Sequence, residues 1–222
     1  MEEPYRDRGL GNSYLWHVYS PRGRTDVQLR SDLEYHHFLI VESDPLVVSV
    51  DYAPEAQITR VAGEDIASIV DAVLVLKSGQ VIWREVKSET SLEAGADARA
   101  ELQIMAQRRS SAMHRVRHEV FTELELYVSP IRLHNWHQAI PWIAQVRDFP
   151  LEAEVAEIDD VLRSHRHPFR FRDLLNLGSS DREAIYGAAV ISGIQTGAFA
   201  SDMDAEPFCD HTLVFLPRDR AE

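Results

Sequence analysis

The sequence predicts an α/β protein, a mixed sheet flanked by helices and followed by a small helical, winged-helix-like C-terminal domain. Three observations predict it. Four short apolar or β-branched runs lie between residues 46 and 86, separated by turn signals. An alanine-rich stretch from Glu93 to about Arg117, without Gly or Pro after Gly95, predicts a long helix. Beyond Pro130 the strand signals give way to helical ones. A chain of 222 residues can hold one largish domain or two small ones, and the change at Pro130 divides it into residues 1–130 and 131–222.

The first 30 residues are polar, with turn signals at Gly11-Asn12 and Pro21-Arg22-Gly23, and predict an irregular arm. Ser31-Asp32-Leu33-Glu34 has the form of a capping box and opens a helix to about Glu42, which Asp44-Pro45 ends. Strands are expected at Leu46–Tyr52 and Gln57–Val61, with a turn at Gly63-Glu64-Asp65. The nearly continuous apolar run Ile69–Leu76 reads as a buried strand, and Val81–Val86 as the next. After the long helix, Glu119–Tyr127 predicts another strand. Helices are then expected at His134–Gln145, kinked or split by Pro141, and at Val155–Arg163. Phe169–Leu177, closed by Gly178, and Asp181–Ile194, capped by Ser179 or Ser180, read as a helix-turn-helix, with a ribbon or wing in 197–216.

The formal net charge of -13 argues against nonspecific coating of nucleic acid, because phosphate binding needs Lys and Arg. The charge is uneven, however. Arg108, Arg109, Arg115 and Arg117 form one basic group, and Arg163, Arg166, Arg170 and Arg172 another. Either is a solvated helix face or a stripe that could track DNA, and the second is a better candidate for DNA contact than the helix at 181–194. The second helix of the helix-turn-helix offers only Arg182 as a cation, so packing or protein contact is expected of it. A single cysteine, Cys209, excludes an internal disulfide and fits a reducing, cytoplasmic setting. No run reaches the roughly 18 apolar residues of a membrane span, and Met1-Glu2-Glu3-Pro4 does not read as a secretory signal.

The chemistry is concentrated at Asp71 and Glu85-Val86-Lys87. Asp71 opens an apolar strand, and Glu85 and Lys87 sit two apart at the end of the next, so they share a face. Whether Asp71 joins them depends on the turn. A two-residue turn at Ser78-Gly79 puts Asp71 on the wrong face. A three-residue turn, Lys77-Ser78-Gly79, or any other loop of odd length, sets Asp71 opposite Glu85, and Gly79 suits the left-handed position that the three-residue turn requires. Opposed carboxylates repel unless a cation lies between them, and oxygen ligands point to Mg²⁺, with Mn²⁺ as the alternative. Such an ion beside a lysine suits phosphodiester hydrolysis. Glu34 has two roles open to it, cap of its own helix or third carboxylate. The histidines at 36, 37, 134, 137, 165 and 167 have no cysteine or third histidine at zinc-site spacing, and read as surface or core residues. Trp83, on its strand, is assigned to the core, while Trp136 and Trp142 either pack the second domain or form a partner surface.

In order and spacing, Ser31-Asp32-Leu33-Glu34, then Asp71, then Arg84-Glu85-Val86-Lys87, then Phe121-Thr122-Glu123 resembles the PD-(D/E)XK nuclease superfamily, and within it TnsA, the endonuclease subunit of heteromeric transposases. Val70 stands where the superfamily usually has Pro. The resemblance implies a restriction-endonuclease-like fold with Glu34, Asp71, Glu85 and Val86 as the Mg²⁺-holding positions, Lys87 acting at the water, and Gln103 at a position that serves as an auxiliary contact in relatives, a solvated helix glutamine being the alternative. It further implies cleavage of DNA at the 5′ ends of a mobile element, with a DDE-type transposase and an AAA+ regulator ATPase as partners. Two other readings stand beside it. One is a non-catalytic DNA-binding or adaptor protein that keeps the fold, and the other a related nuclease of restriction, repair or phage defence.

Overall fold

A computed structural model describes residues 14–93, 95, 97–165 and 167–217; the Gly11-Asn12 turn and Arg166 lie outside them. Where an irregular arm is expected, β1 (Trp16–Ser20) and β2 (Thr25–Leu29) form an antiparallel hairpin, joined across Pro21-Arg22-Gly23-Arg24. Val27 and Leu29, two apart, are the positions of β2 that enter the core. Thr25, Asp26 and Gln28 are exposed, and this polarity hides the alternation in the sequence.

Helix α1 (Asp32–Ser43) starts where Ser31 accepts the Glu34 amide and stops at Asp44, ahead of Pro45. Next come β3 (Val47–Asp51), β4 (Gln57–Val61), β5 (Glu64–Ser68), β6 (Ala72–Leu76) and β7 (Val81–Val86). The strand β5 is not expected from Glu-Asp-Ile-Ala-Ser. It exists because the tight turn at Ala62-Gly63, both at positive φ, folds it back on β4 as a separate hairpin. The run from Ile69 therefore becomes a strand only at Ala72.

After β7 comes a single turn of helix, α2 (Glu89–Leu92). The long helix α3 (Ala98–His114) is shorter than expected at both ends. Asp97 caps its start by accepting the Arg99 and Ala100 amides, and Arg115 ends it at φ 56°. This frees Arg117–Phe121 to form β8, and Thr122 then caps α4 (Glu123–Leu126), with Glu125 completing a capping box, so the strand ends before Tyr127.

The sheet order is β3-β6-β7-β8, with β3/β6 and β6/β7 antiparallel and β7/β8 parallel. The protein is thus mixed α/β, with a mixed-orientation sheet flanked by helices. One sheet face, Ala72, Leu74 and Ile82, is buried with Val41 of α1 and with Val47 and Val50. On the other, Trp83 faces His114 of α3, with ring centroids 5.3 Å apart.

The rest of the chain is α5 (Pro130–Ala144), α6 (Glu152–His165), β9 (Phe169–Arg170), α7 (Phe171–Leu175), a 3-10 turn at Ser180–Arg182, α8 (Glu183–Thr196), β10 (Ala200–Ser201) and β11 (Leu213–Phe215). The three strands form a small antiparallel sheet in the order β10-β11-β9. Pro141 does not split α5; it falls in the last turn, where one missing amide costs little continuity. Ser179 does not cap through its side chain, which bonds Asp181 instead. The helix α8 is buried on most sides, and Gly187 and Gly193 lie so close to Trp142 and Phe199 that a Cβ at either would clash with the ring. The larger core joins Tyr35, Phe38 and Leu39 of α1 to Trp136 and Ile140 of α5 and to α8, so packing is continuous across residue 130.

Candidate active site

The β6/β7 hairpin sets the register on which the site depends. Val75 pairs with Val81, Leu74 with Ile82, Val73 with Trp83 and Ala72 with Arg84. Around the turn the Leu76 amide donates to the Gln80 carbonyl at 2.9 Å, the Gly79 amide donates to the Leu76 carbonyl at 2.8 Å, and Gly79 has φ +81°. This is the three-residue turn Lys77-Ser78-Gly79. One more step of the register brings Asp71 opposite Glu85. Asp71 lies just outside the ladder, and its Oδ2 accepts the Val86 amide at 2.7 Å. The Val86 main chain thus holds Asp71 against the end of β7.

Glu85 is buried at 1% exposure, yet both its oxygens are engaged. Oε1 lies 2.7 Å from Lys87 Nζ and accepts from Gln103 Nε2 at 2.9 Å. Oε2 accepts from Gln107 Nε2 at 2.6 Å. Lys87 Nζ also donates to Gln103 Oε1 at 3.3 Å. The structure therefore brings Asp71, Glu85, Lys87 and Gln103 together on the face of the sheet that α3 covers. Gln107 belongs to the same group and was missed. Its signal is simple: it follows Gln103 by four residues on one helix, so the two share a face.

Glu34 does cap its helix, though not by bonding the Ser31 amide. Its Oε2 accepts the Arg30 amide at 2.8 Å and its Oε1 accepts the Ser31 hydroxyl at 3.2 Å. It also lines a cavity of about 460 Å³ together with Asp71, His37, Arg30 and Gln28. The two readings of Glu34 are therefore compatible. His37, one turn along α1, is buried with its Nε2 unpartnered, and burial together with the charge of Arg84 pushes its pKa down to about 3. It is a neutral wall of the cavity.

Burial pushes the Asp71 carboxyl up, the charge of Glu85 pushes it further, and the Val86 amide opposes both. Burial also raises Glu85, against the bond and charge of Lys87 and the bond from Gln107. Glu34 adds its charge to both. Carboxyl groups crowded in this way favour a cation between them, and the donor set, all oxygen, fits a hard ion such as Mg²⁺ or Mn²⁺. The fit lies in donor chemistry rather than in a finished cage. Among the described residues no three His, Cys, Asp or Glu side chains converge as a metal group, and Glu34 is held at its cap.

Several other residues are accounted for structurally. His134 bonds Gln138, His137 bonds the Tyr35 hydroxyl, and His165 and His167 bond main-chain carbonyls. Trp136 is buried and Trp142 packs edge-on against Phe171. Of the C-terminal arginines, Arg163 is paired with Asp159 and Arg172 with Glu183, which neutralises much of that stripe as a phosphate-binding surface. Glu123, after Thr122, accepts the Glu89 amide at 2.8 Å. No described helix is long and apolar enough to cross a membrane. Neither a protein-family model nor a curated protein matches the chain.

Proposed function

We propose that the protein is a divalent-metal-dependent DNA endonuclease of restriction-endonuclease-like fold, similar to TnsA, that hydrolyses phosphodiesters at the 5′ ends of a mobile element. The observation that carries this reading is the hairpin register, which sets Asp71 opposite Glu85 and leaves Lys87 2.7 Å from that carboxylate. Asp71, Glu85 and the Val86 main chain are the groups to hold the ion, with Glu34 on the shared cavity as the third carboxylate. When bound, Mg²⁺ or Mn²⁺ supplies Lewis-acid polarisation of the phosphate.

The chain's own residues do the rest. Asp71 and Glu85 give the site the negative charge that selects a cation. The Val86 amide fixes the Asp71 carboxylate, and Gln103 fixes Lys87 and Glu85 relative to each other. Lys87, paired as an ammonium with Glu85, orients the attacking water or offsets charge as the phosphorus becomes five-coordinate. His37, neutral, adds no charge that would compete for the carboxylates. The acidic net charge of -13 makes unaided DNA binding weak, so a DDE-type transposase and an AAA+ regulator ATPase are proposed as the partners that deliver the DNA.

The test is a nicking assay on element-end DNA with Mg²⁺, with and without the transposase. Wild type is expected to cut, and Asp71→Ala and Lys87→Ala to lose about 100-fold or more in rate. Equal cutting by all three proteins overturns the site. A non-catalytic adaptor that keeps the fold is favoured by one observation, that both Glu85 oxygens already have protein donors. That reading expects transposase-dependent DNA binding without cutting by any of the proteins.

A further inference from the structure

We infer that Gln107 is the positioning residue that holds Glu85 in place for a metal ion, and that His118 sets the orientation of Gln107. The inference rests on the reading of Asp71 and Glu85 as metal-holding carboxylates.

Gln107 is 1% exposed, on the face of α3 that meets the sheet. Its Nε2 donates to Glu85 Oε2 at 2.6 Å and to the Ile69 carbonyl at 3.1 Å. Both partners can only accept, so the amide nitrogen must be the atom that faces them. Its Oε1 lies 3.1 Å from His118 Nε2. A carbonyl oxygen can only accept, so His118 presents Nε2–H there, and the amide cannot flip without facing donor to donor and acceptor to acceptor. His118 stands on β8, paired with Trp83 of β7, so the parallel strand beside Glu85 also supplies the group that orients its clamp.

The effect is to tie together the two halves of the site. Ile69 lies two residues before Asp71, and Glu85 is on the neighbouring strand. One buried amide bridges the segment leading to Asp71 and the carboxylate opposite it. Gln103, one helical turn earlier, reaches the same carboxylate at Oε1, but it is only partly buried and also bonds Lys87. Gln107 is the fixed donor and leaves Oε1 as the oxygen shared by Lys87 and Gln103. Groups that bond a ligating carboxylate from behind orient it, and losing one typically costs about 10- to 100-fold in metal affinity or activity.

The experiment titrates Mn²⁺ calorimetrically into the full-length wild type, Asp71→Asn, Gln107→Met, His118→Phe and His118→Gln, without DNA, and then measures nicking with the transposase present. Gln107→Met, similar in volume and unable to donate, is expected to bind Mn²⁺ about 10- to 100-fold more weakly. It should nick with a lower kcat but an unchanged KM for DNA, and the loss should shrink as Mn²⁺ is raised. His118→Phe should weaken binding as well, whereas His118→Gln, whose amide can donate from a similar position, should recover most of it. A folded Gln107→Met with wild-type Mn²⁺ affinity overturns the inference and leaves the nuclease reading standing. Should Gln107→Met not fold, equal Mn²⁺ affinity in His118→Phe and His118→Gln overturns it instead. Mn²⁺ binding that is absent in wild type, or unchanged by Asp71→Asn, overturns the metal site and the inference with it.

Discussion

Asp71 is held beside Glu85 by a main-chain amide, while Lys87 is bonded to Glu85 rather than to Asp71. Burial, reinforced by the charge of Glu85, raises the Asp71 carboxyl from 3.8 to about 8. Between these two values the folded protein keeps a proton that the unfolded chain has released, so stability without metal should fall as pH rises from about 4 to about 8. Glu42, raised to about 7 by burial, slopes the same way, so the test needs a control. Asp71→Asn, which keeps an acceptor for the Val86 amide, should flatten the slope and stabilise the metal-free protein at about pH 8. The gain should be on the order of 1 kcal/mol or more, since each pKa unit is worth about 1.4 kcal/mol. Ca²⁺ should raise the melting temperature of wild type at that pH and not of the variant. Thermal melts at about pH 5 and about pH 8, with chelator or Ca²⁺, check all three outcomes. An identical slope in the two proteins would mean that Asp71 is not the group responsible.

At the scale of elements, the β6/β7 hairpin decides whether there is a site at all. Side chains alternate along a strand, so a one-residue change in the turn would send Asp71 to the opposite face from Glu85. Gly79 holds the turn at φ +81°, and nothing lies within 4 Å of the space a Cβ would take. Gly79→Ala should therefore cost about 1 to 2 kcal/mol through backbone strain alone, with no steric contribution. Urea unfolding should show this as a lower midpoint with an unchanged slope. A neutral effect would indicate that the turn relaxes to another form. The turn was legible in the sequence because it required only alternation, counting and one glycine. Strand β5 was not, since Glu-Asp-Ile-Ala-Ser has no strand pattern of its own and gains its pairing from β4.

Across the whole molecule, the N-terminal hairpin, α1, β3 and α8 meet around Glu42, which is buried, and Arg22, which is partly buried. Glu42 accepts from Ser20, from Tyr52 and from Gln195 of α8, the last at 2.7 Å. Arg22, in the β1/β2 turn, donates to the carbonyls of Asp44 at 2.6 Å and Gln195 at 2.7 Å, and also to that of Val47. Together with the core that runs from α1 to α5 and α8, this network should make residues 14–217 unfold as one cooperative unit. Arg22→Met should lower stability by about 2 to 4 kcal/mol, because it leaves these carbonyls without their donor and removes the nearby charge that favours the Glu42 carboxylate. Circular dichroism and tryptophan fluorescence should trace coincident transitions in wild type. Two separated transitions would mean that the parts on either side of residue 130 fold independently.

What the sequence determined alone is what local physics dictates: the Ser31 cap, the stop at Asp44-Pro45, strands β4 and β7 to the residue, and the odd turn that sets Asp71 opposite Glu85. Each follows from neighbours within a few positions, through side-chain alternation, capping oxygens or the freedom of a glycine. The tertiary structure decided what depends on distant partners. The β1/β2 hairpin gains its buried face from helices far along the chain, and the core ignores the change in composition at Pro130. Gln107 could be placed on the face of Gln103 by spacing, but that it clamps Glu85 is visible only once β8 brings His118 against it. Burial, which raises both carboxylates and leaves His37 neutral, belongs to the folded state, because an extended chain leaves all three in water.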